Sequence, residues 1–305
     1  MKIEAIIVTF NRLNDLKECL RKYDEQIDKI DSLVVINNCS TDGTKEYLEK
    51  WKSINAEYDK KIVHLEENTG GSGGFYEGLK FAMQDNADWV WLHDDDAFLY
   101  DDTIQNLRKA IEQYNKNDIS AICGMDYDKE NIALDHRRII KKGFIKNKDK
   151  CIDAKLYNQD VFELNEFSYV GVAINVKKLY EVGITNKDFF IFLDDTEHSY
   201  RLSQKGKILC FPEIKIRHDN KYQETNHIAN WKLYYSIRNN IYFSKYCIKG
   251  GLIYWLIYFY ATAVFKKIIR RDSIGSKLVV DAIKDGLNKN MGKNDVYKPG
   301  WKVNK

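Results

Sequence analysis

The chain has 305 residues, of which 44% are hydrophobic and 30% charged, with two prolines and a net charge of +3. That excludes a disordered, collagenous or disulfide-stapled protein, and the length suits one large globular domain or a domain with an extension. The small net charge hides an asymmetry, because residues 245–305 carry 13 Lys and Arg against 4 Asp and Glu, a net of +9, which leaves −6 on the rest.

The first predicted element is the strand IEAIIVT (3–9), short, β-branched and almost wholly apolar, as a buried parallel strand is. Leu13, Leu16 and Leu20 then recur at helical spacing. SLVVIN (32–37) is a second strand, and STDGTKEYLEKW is a turn entering a helix. KIVHLE (61–66) is a third strand, GFYEGLKFAMQ a helix and DWVWLH (88–93) a fourth strand. DDTIQNLRKAIEQY is helical and ISAICGM a fifth strand. Such alternation predicts an α/β fold with a parallel sheet covered on both faces, whose ligands bind where strands end. The polar clusters TFNR, NNCSTDGT, NTGGSGG and HDDDA each follow a strand directly.

Those clusters have chemical readings and plainer alternatives. NTGGSGG puts four glycines in five residues at the mouth of a helix. This permits close backbone approach and phosphate binding at helix-start amides, or simply a flexible connection. It is neither a Walker loop nor the dinucleotide fingerprint. In HDDDA, alternation along an extended chain turns Asp94 and Asp96 to one site, where a hard divalent cation is held by oxygen ligands. The alternative is capping of the helix near Asp101. In FFIFLDDTEHSYRL (189–202), Asp194 and Glu197 share a helix face, as do Asp195 and His198. A general base or dipole-favoured acids explain them. His218 follows the strand-like IKIR run and matters only beside a metal.

VTFNR, NNCSTDGT, NTGGSGGF, WLHDDDA, FLDDTEHSYRL, RHDN and YYSIRNN, in this order over roughly residues 1–245, resemble the family 2 glycosyltransferases of the GT-A fold. NTGGSGGF with DDDA looks most like the bacterial galactofuranosyltransferase and rhamnosyltransferase branch. The resemblance implies a GT-A, Rossmann-like layered sheet, with residues 1–245 as the catalytic domain and 246–305 as a helical extension. It implies that Thr9, Phe10, Asn11 and Arg12 line the nucleotide pocket and that Asn38 and Asp42 meet the base and ribose. Asn68, Gly70, Gly71, Gly73 and Gly74 would approach the sugar diphosphate, with Asp95 near the donor. Asp94, Asp96 and His218 would hold Mn²⁺ or Mg²⁺. Asp195, flanked by Asp194 and Glu197, would be the base of an inverting transfer, and residues 166–183 would form the acceptor side. The family's second strand usually ends in Asp-Asn, whereas Asn37-Asn38 stands here, which leaves UDP- and dTDP-linked donors both open.

Residues 250–265 carry no charge and precede KKIIRR. They are too short and too aromatic for a spanning helix and are expected to lie in the membrane interface, with an oligomer contact as the alternative. The expected partners are a nucleotide sugar, a lipid-linked glycan and a membrane surface; in the first 244 residues no basic stretch with interleaved aromatics points to nucleic acid. Six Cys without metal spacing, and an N-terminus unlike a signal peptide, predict a cytoplasmic protein peripheral to the inner face of the membrane. Two other functions fit parts of the pattern: a sugar nucleotidyltransferase, which lacks its N-terminal Gly-rich, basic nucleotide loop here, and a catalytically silent sugar-nucleotide-binding scaffold.

Overall fold

The computed structural model describes residues 1–114, 118–218 and 230–302. Its first half alternates β1 (Ile3–Thr9), α1 (Leu13–Asp24), β2 (Ser32–Asn37), α2 (Thr44–Ser53), β3 (Asp59–His64), α3 (Gly70–Gln84) and β4 (Trp89–Asp94). After these come β5 (Ala97–Leu99), α4 (Thr103–Tyr114), β6 (Ile119–Asp128) and β7 (Asn131–Ile132). The next strands are β8 (Arg137–Lys141), β9 (Lys148–Cys151), β10 (Phe162–Leu164), β11 (Glu166–Phe167) and β12 (Val172–Asn175). Last are α5 (Val176–Val182), α6 (Asp194–Ser203), β13 (Lys207–His218), α7 (Asn230–Tyr242), α8 (Leu252–Ile268) and α9 (Ser273–Asn288).

The main sheet runs β10-β13-β6-β12-β4-β1-β2-β3, and β11-β8-β9 form a small second sheet. The five strands expected to be parallel do point one way, and every residue of β1 and β2 is buried. The sheet is nonetheless mixed, because β12 inserts antiparallel between β4 and β6. Helices cover both faces over two apolar cores, one around Ile7, Leu33 and Trp91, the other around Ile6, Leu92 and Leu79. The third strand lies two residues earlier than expected, and α3 begins at Gly70 rather than Gly74, so the glycines form its first turn.

Chain order reverses beside β1, whose neighbours are β2 and β4. Thr9 pairs with Asn37 and Val8 with Asp94, so three strands end level and their loops open on one crevice. β5 turns back to pair antiparallel with β13, which sets His218 opposite Ala97.

α7, α8 and α9 share one apolar cluster, which includes Tyr234, Phe259 and Leu278 and takes in Phe190 from the turn before α6. The division expected at 245/246 therefore runs through a layer whose first helix, α7, precedes it. Among the described residues no helix is long and apolar enough to cross a membrane.

Candidate active site

A cavity of about 440 Å³ opens where β1, β2 and β4 end. Phe10, Arg12, Asn38, Asn68, Gly70, Gly71, Asp94, Asp95, Asp194, Asp195 and His218 all line it. Residues as far apart in sequence as Phe10 and His218 thus meet because their loops leave the same edge of the sheet.

The three aspartates take different partners. Asp95 accepts the Thr9 hydroxyl at 2.6 Å and the Arg12 guanidinium at 3.1 Å. Burial nevertheless pushes its carboxyl up to about 7. Asp96 accepts from Arg12 at 2.5 Å and lies 3.2 Å from His218 Nε2. Burial opposes its ionisation, but His218 and Arg12 outweigh that and hold it low. Asp94 is pushed up to about 6 by burial and by Asp96. One ligand atom from each of Asp94, Asp96 and His218 falls within 4.8 Å of the others. Two carboxylates and an imidazole converging on one point is a donor set that Mn²⁺ or Mg²⁺ fits, with the cavity side left for substrate oxygens. The rest of the RHDN motif, Asp219 and Asn220, lies outside the described residues.

Asp194 and Asp195 open α6 behind a turn in which Phe190, Phe192 and Leu193 all have φ between 63° and 68°. Non-glycine residues reach that region at a cost, so surrounding groups must hold them there. α7 does so. Asn239 Nδ2 lies 3.1 Å from the Phe189 carbonyl oxygen and 2.9 Å from those of Ile191 and Phe192. Arg238 donates to the carbonyls of Asp188 and Phe189 at 3.1 and 2.9 Å. Arg238 and Asn239 of YYSIRNN therefore fasten the loop that carries the acids, while Asn240 bonds back to the Ser236 carbonyl of α7. Burial, then Asp195, pushes Asp194 up to about 8, and burial also raises Asp195.

Several expected site residues sit elsewhere. Glu197 turns away from the cavity into a two-pronged ion pair with Arg201, at 2.7 and 2.8 Å. His198 shares a helix face with Asp195 only in projection; it accepts the Tyr169 hydroxyl at 2.5 Å and donates to the Gly183 carbonyl. Asp42 caps two helices, accepting from Leu13 N–H at 3.0 Å and from the Thr44 hydroxyl at 2.6 Å. Asn11, at φ 52°, accepts Thr41 N–H at 2.7 Å and ties the first loop to the second. Gly73 and Gly74 are buried: a Cβ on Gly74 would run into Val8 of β1, so that glycine lets α3 approach the sheet, while one on Gly73 would run into Thr69. Of the first-turn amides, Gly70 N–H goes to Asn68 and Ser72 N–H to the Phe190 carbonyl.

Residues 4–170 match the family described as Glycosyl transferase family 2. The chain belongs to that family. As a family 2 glycosyltransferase it is 27% identical over 206 residues to galactofuranosyltransferase GlfT1 of Mycobacterium tuberculosis, a match covering 66% of this chain and 64% of that protein. The GlfT1 of Mycolicibacterium smegmatis is 26% identical over 204 residues, covering 66% of this chain and 65% of that one. The matched region thus spans just under two thirds of these relatives' length. In fold the glycosyltransferase resembles Staphylococcus aureus TarS 1–349 in complex with UDP-GlcNAc, with TM-score 0.60, 13% identity and coverage of 94% of this chain and 81% of that one. It also resembles GalNAc-T7 with UDP, GalNAc and Mn²⁺, with TM-score 0.63, 13% identity and coverage of 95% and 56%. The GT-A-like fold expected from the sequence is present.

Several cavity residues of this glycosyltransferase had no sequence signal. Lys232 and Trp231 of α7 and His136 join the lining. Arg137 is fully buried and donates to the carbonyls of Gly124 at 3.0 Å and Val170 at 2.5 Å. It thereby holds the 168–170 segment, which forms part of the cavity wall. An arginine in a short strand reads as solvated, and only its carbonyl partners show otherwise.

Proposed function

We propose that the protein transfers galactofuranose or rhamnose from a UDP- or dTDP-linked donor to a hydroxyl of a lipid-linked bacterial surface polysaccharide, with inversion and with a bound Mn²⁺ or Mg²⁺. The observation that supports it most is one cavity lined by Asp94 and His218, which group with Asp96 behind them as a metal donor set, and by Asp195. The mycobacterial relatives are named galactofuranosyltransferases, which favours that sugar.

The nucleotide would lie along β1 and β2, with the backbone at Gly71 and the Lys232 ammonium near its phosphates. Asp94, Asp96 and His218 would hold the cation, which neutralises charge on the departing diphosphate. Arg12 keeps Asp95 and Asp96 in place. Asp195 takes the proton of the acceptor hydroxyl while that oxygen attacks the anomeric carbon; burial raises its basicity, as a base for a hydroxyl needs. Asp194, kept largely protonated by burial and then by its neighbour, supports Asp195 without competing for the proton.

α8 fits the membrane part of the proposal. Ile253, Ile257, Tyr260, Val264 and Ile268 recur every three or four residues and are all exposed. Lys266, Lys267, Arg270 and Arg271 follow at the helix end. An apolar face bordered by cations suits an anionic bilayer at the inner face of the cell membrane.

The test is nucleoside-diphosphate release from UDP-galactofuranose, dTDP-rhamnose, UDP-glucose, UDP-galactose and UDP-N-acetylglucosamine, with and without a lipid-linked acceptor extract. Release from one donor that needs the acceptor and stops with EDTA supports the proposal. Nucleotide binding without release from any donor would leave the scaffold reading in its place.

A further inference from the structure

A second cavity, of about 630 Å³, meets the first at Asp195, Ser168 and Phe192, which line both. None of Asp94, Asp96 or His218 reaches it. Its wall carries Arg138, Glu166 and Asn240 beside Tyr254 and Trp255. The last two come from α8, outside the sheet that carries the donor-side loops.

The wall is built rather than incidental. Gly251 N–H donates to the Gly143 carbonyl at 2.8 Å, Tyr254 N–H to the Ile145 carbonyl at 3.1 Å, and Asn147 Nδ2 to the Gly250 carbonyl at 3.1 Å. A Cβ on Gly250 or Gly251 would collide with Asn147, so the glycines allow this close approach. Trp255 is steadied by Phe259, stacked at 5.1 Å and 16°. Glu166 is 6% exposed; one oxygen accepts the Thr196 hydroxyl at 3.0 Å, and the other has no hydrogen-bond partner. Its nearest cation, Arg138, is 3.8 Å away and already bonded to Asp149 at 2.6 Å. A buried carboxylate oxygen without a donor is costly, and a ligand hydroxyl would relieve it.

Aromatic faces beside planar polar groups suit a sugar ring, whose C–H faces pack on rings while its hydroxyls bond sideways. We infer that this second cavity is the acceptor site and takes the terminal sugar of a glycan, its ring against Trp255 and a hydroxyl on Glu166. The inference rests on the glycosyl-transfer reading above. The reacting acceptor hydroxyl lies at Asp195, between the cavities. Its proton passes to that carboxylate and its oxygen bonds to the anomeric carbon. The bond from that carbon to the diphosphate oxygen breaks, and its electron pair leaves with the nucleoside diphosphate. α8 then has two roles: Trp255 faces the acceptor, while Ile253 and Ile257 lie exposed toward the surface from which a lipid-linked glycan would arrive.

The experiment uses the full chain with the donor that supports release and a titrated lipid-linked acceptor extract. Trp255→Ala should raise the acceptor KM about tenfold or more, Trp255→Phe should restore much of it, and Glu166→Gln should raise it independently. Nucleoside-diphosphate binding by calorimetry should stay within about twofold in each variant. An unchanged acceptor KM in both Trp255→Ala and Glu166→Gln overturns the assignment, as does a matched loss of nucleotide binding. Absence of release by the wild-type protein from every donor instead sinks the transfer reading, and the acceptor assignment falls with it.

Discussion

The side-chain amide of Asn239 lies 2.9 Å from the carbonyl oxygen of Phe192, a residue 47 positions earlier, in the strained turn that delivers Asp194 and Asp195. This bond joins the helical layer to the turn that lines the cavity. Asn239→Ala takes the side-chain donor from the Ile191 and Phe192 carbonyls, while that of Phe189 keeps Arg238, and costs about 1–3 kcal/mol for each group left unsatisfied. Turnover should fall at least tenfold at a temperature where circular dichroism still shows a folded protein. Full activity in a folded Asn239→Ala protein would separate the turn from the chemistry.

Cation uptake should release protons. Despite burial, Asp96 raises His218 to about 9, so near neutral pH its imidazole carries a proton that a metal ligand must lose. Mn²⁺ affinity should therefore climb with pH up to about 9. Calorimetry in buffers of different ionisation enthalpy should show close to one proton released at pH 7.5, and none in His218→Gln. Asp96→Ala should abolish Mn²⁺-dependent turnover without unfolding the protein.

His198 predicts an acid weakness of the fold. Burial, helped by the Arg201 charge one turn along α6, lowers its pKa from 6.5 to about 3, so the folded protein keeps it neutral. The folded pKa lies below the unfolded one, so the unfolded chain takes the proton first. Stability is lost as pH falls from about 6.5 toward 3, by up to about 1.4 kcal/mol per pH unit. Urea unfolding at pH 7, 6 and 5 should show this slope, and His198→Asn should flatten it. An equal slope in the variant would assign the loss to other groups.

The glycines separate packing from ligand approach. A Cβ at Gly71 meets nothing within 4 Å, whereas one at Gly74 meets Val8. Gly74→Ala should lower stability by about 1–3 kcal/mol with the donor KM unchanged at low temperature. Gly71→Ala should do the reverse, raising the donor KM while the melting point holds. An exchange of these outcomes would mean that the donor contacts the other end of the turn.

The exposed face of α8 should bind anionic lipid. Ile257→Glu with Val264→Glu should weaken sedimentation with phosphatidylglycerol vesicles about tenfold or more, leaving nucleotide binding intact. Loss of a dimer in light scattering, with vesicle binding unchanged, would mark the face as a subunit contact.

Much of the site was legible because its ligands sit directly after strands, where period and polarity change together. β1, β2, β4 and the DDDA turn are local patterns, and local pattern alone places Asp94 and Asp96 at a strand end. It also placed Asp195 at the start of α6. It could not tell that Glu197, one turn on, belongs to Arg201, since an acid at a helix start looks the same whether it faces a cavity or a cation.

What the sequence by itself determined is the alternation of strands and helices through β6, apart from the short β5, the parallel strands and the family, since these follow from periodicity and from motifs within a few residues of each other. The tertiary structure alone decided which motif residues share a cavity. The pairing of β5 with β13 brings His218 beside Asp96, 122 residues away, and α7 reaches back to hold the turn before α6. Those are contacts between distant segments, set by register and packing, and no local propensity encodes them.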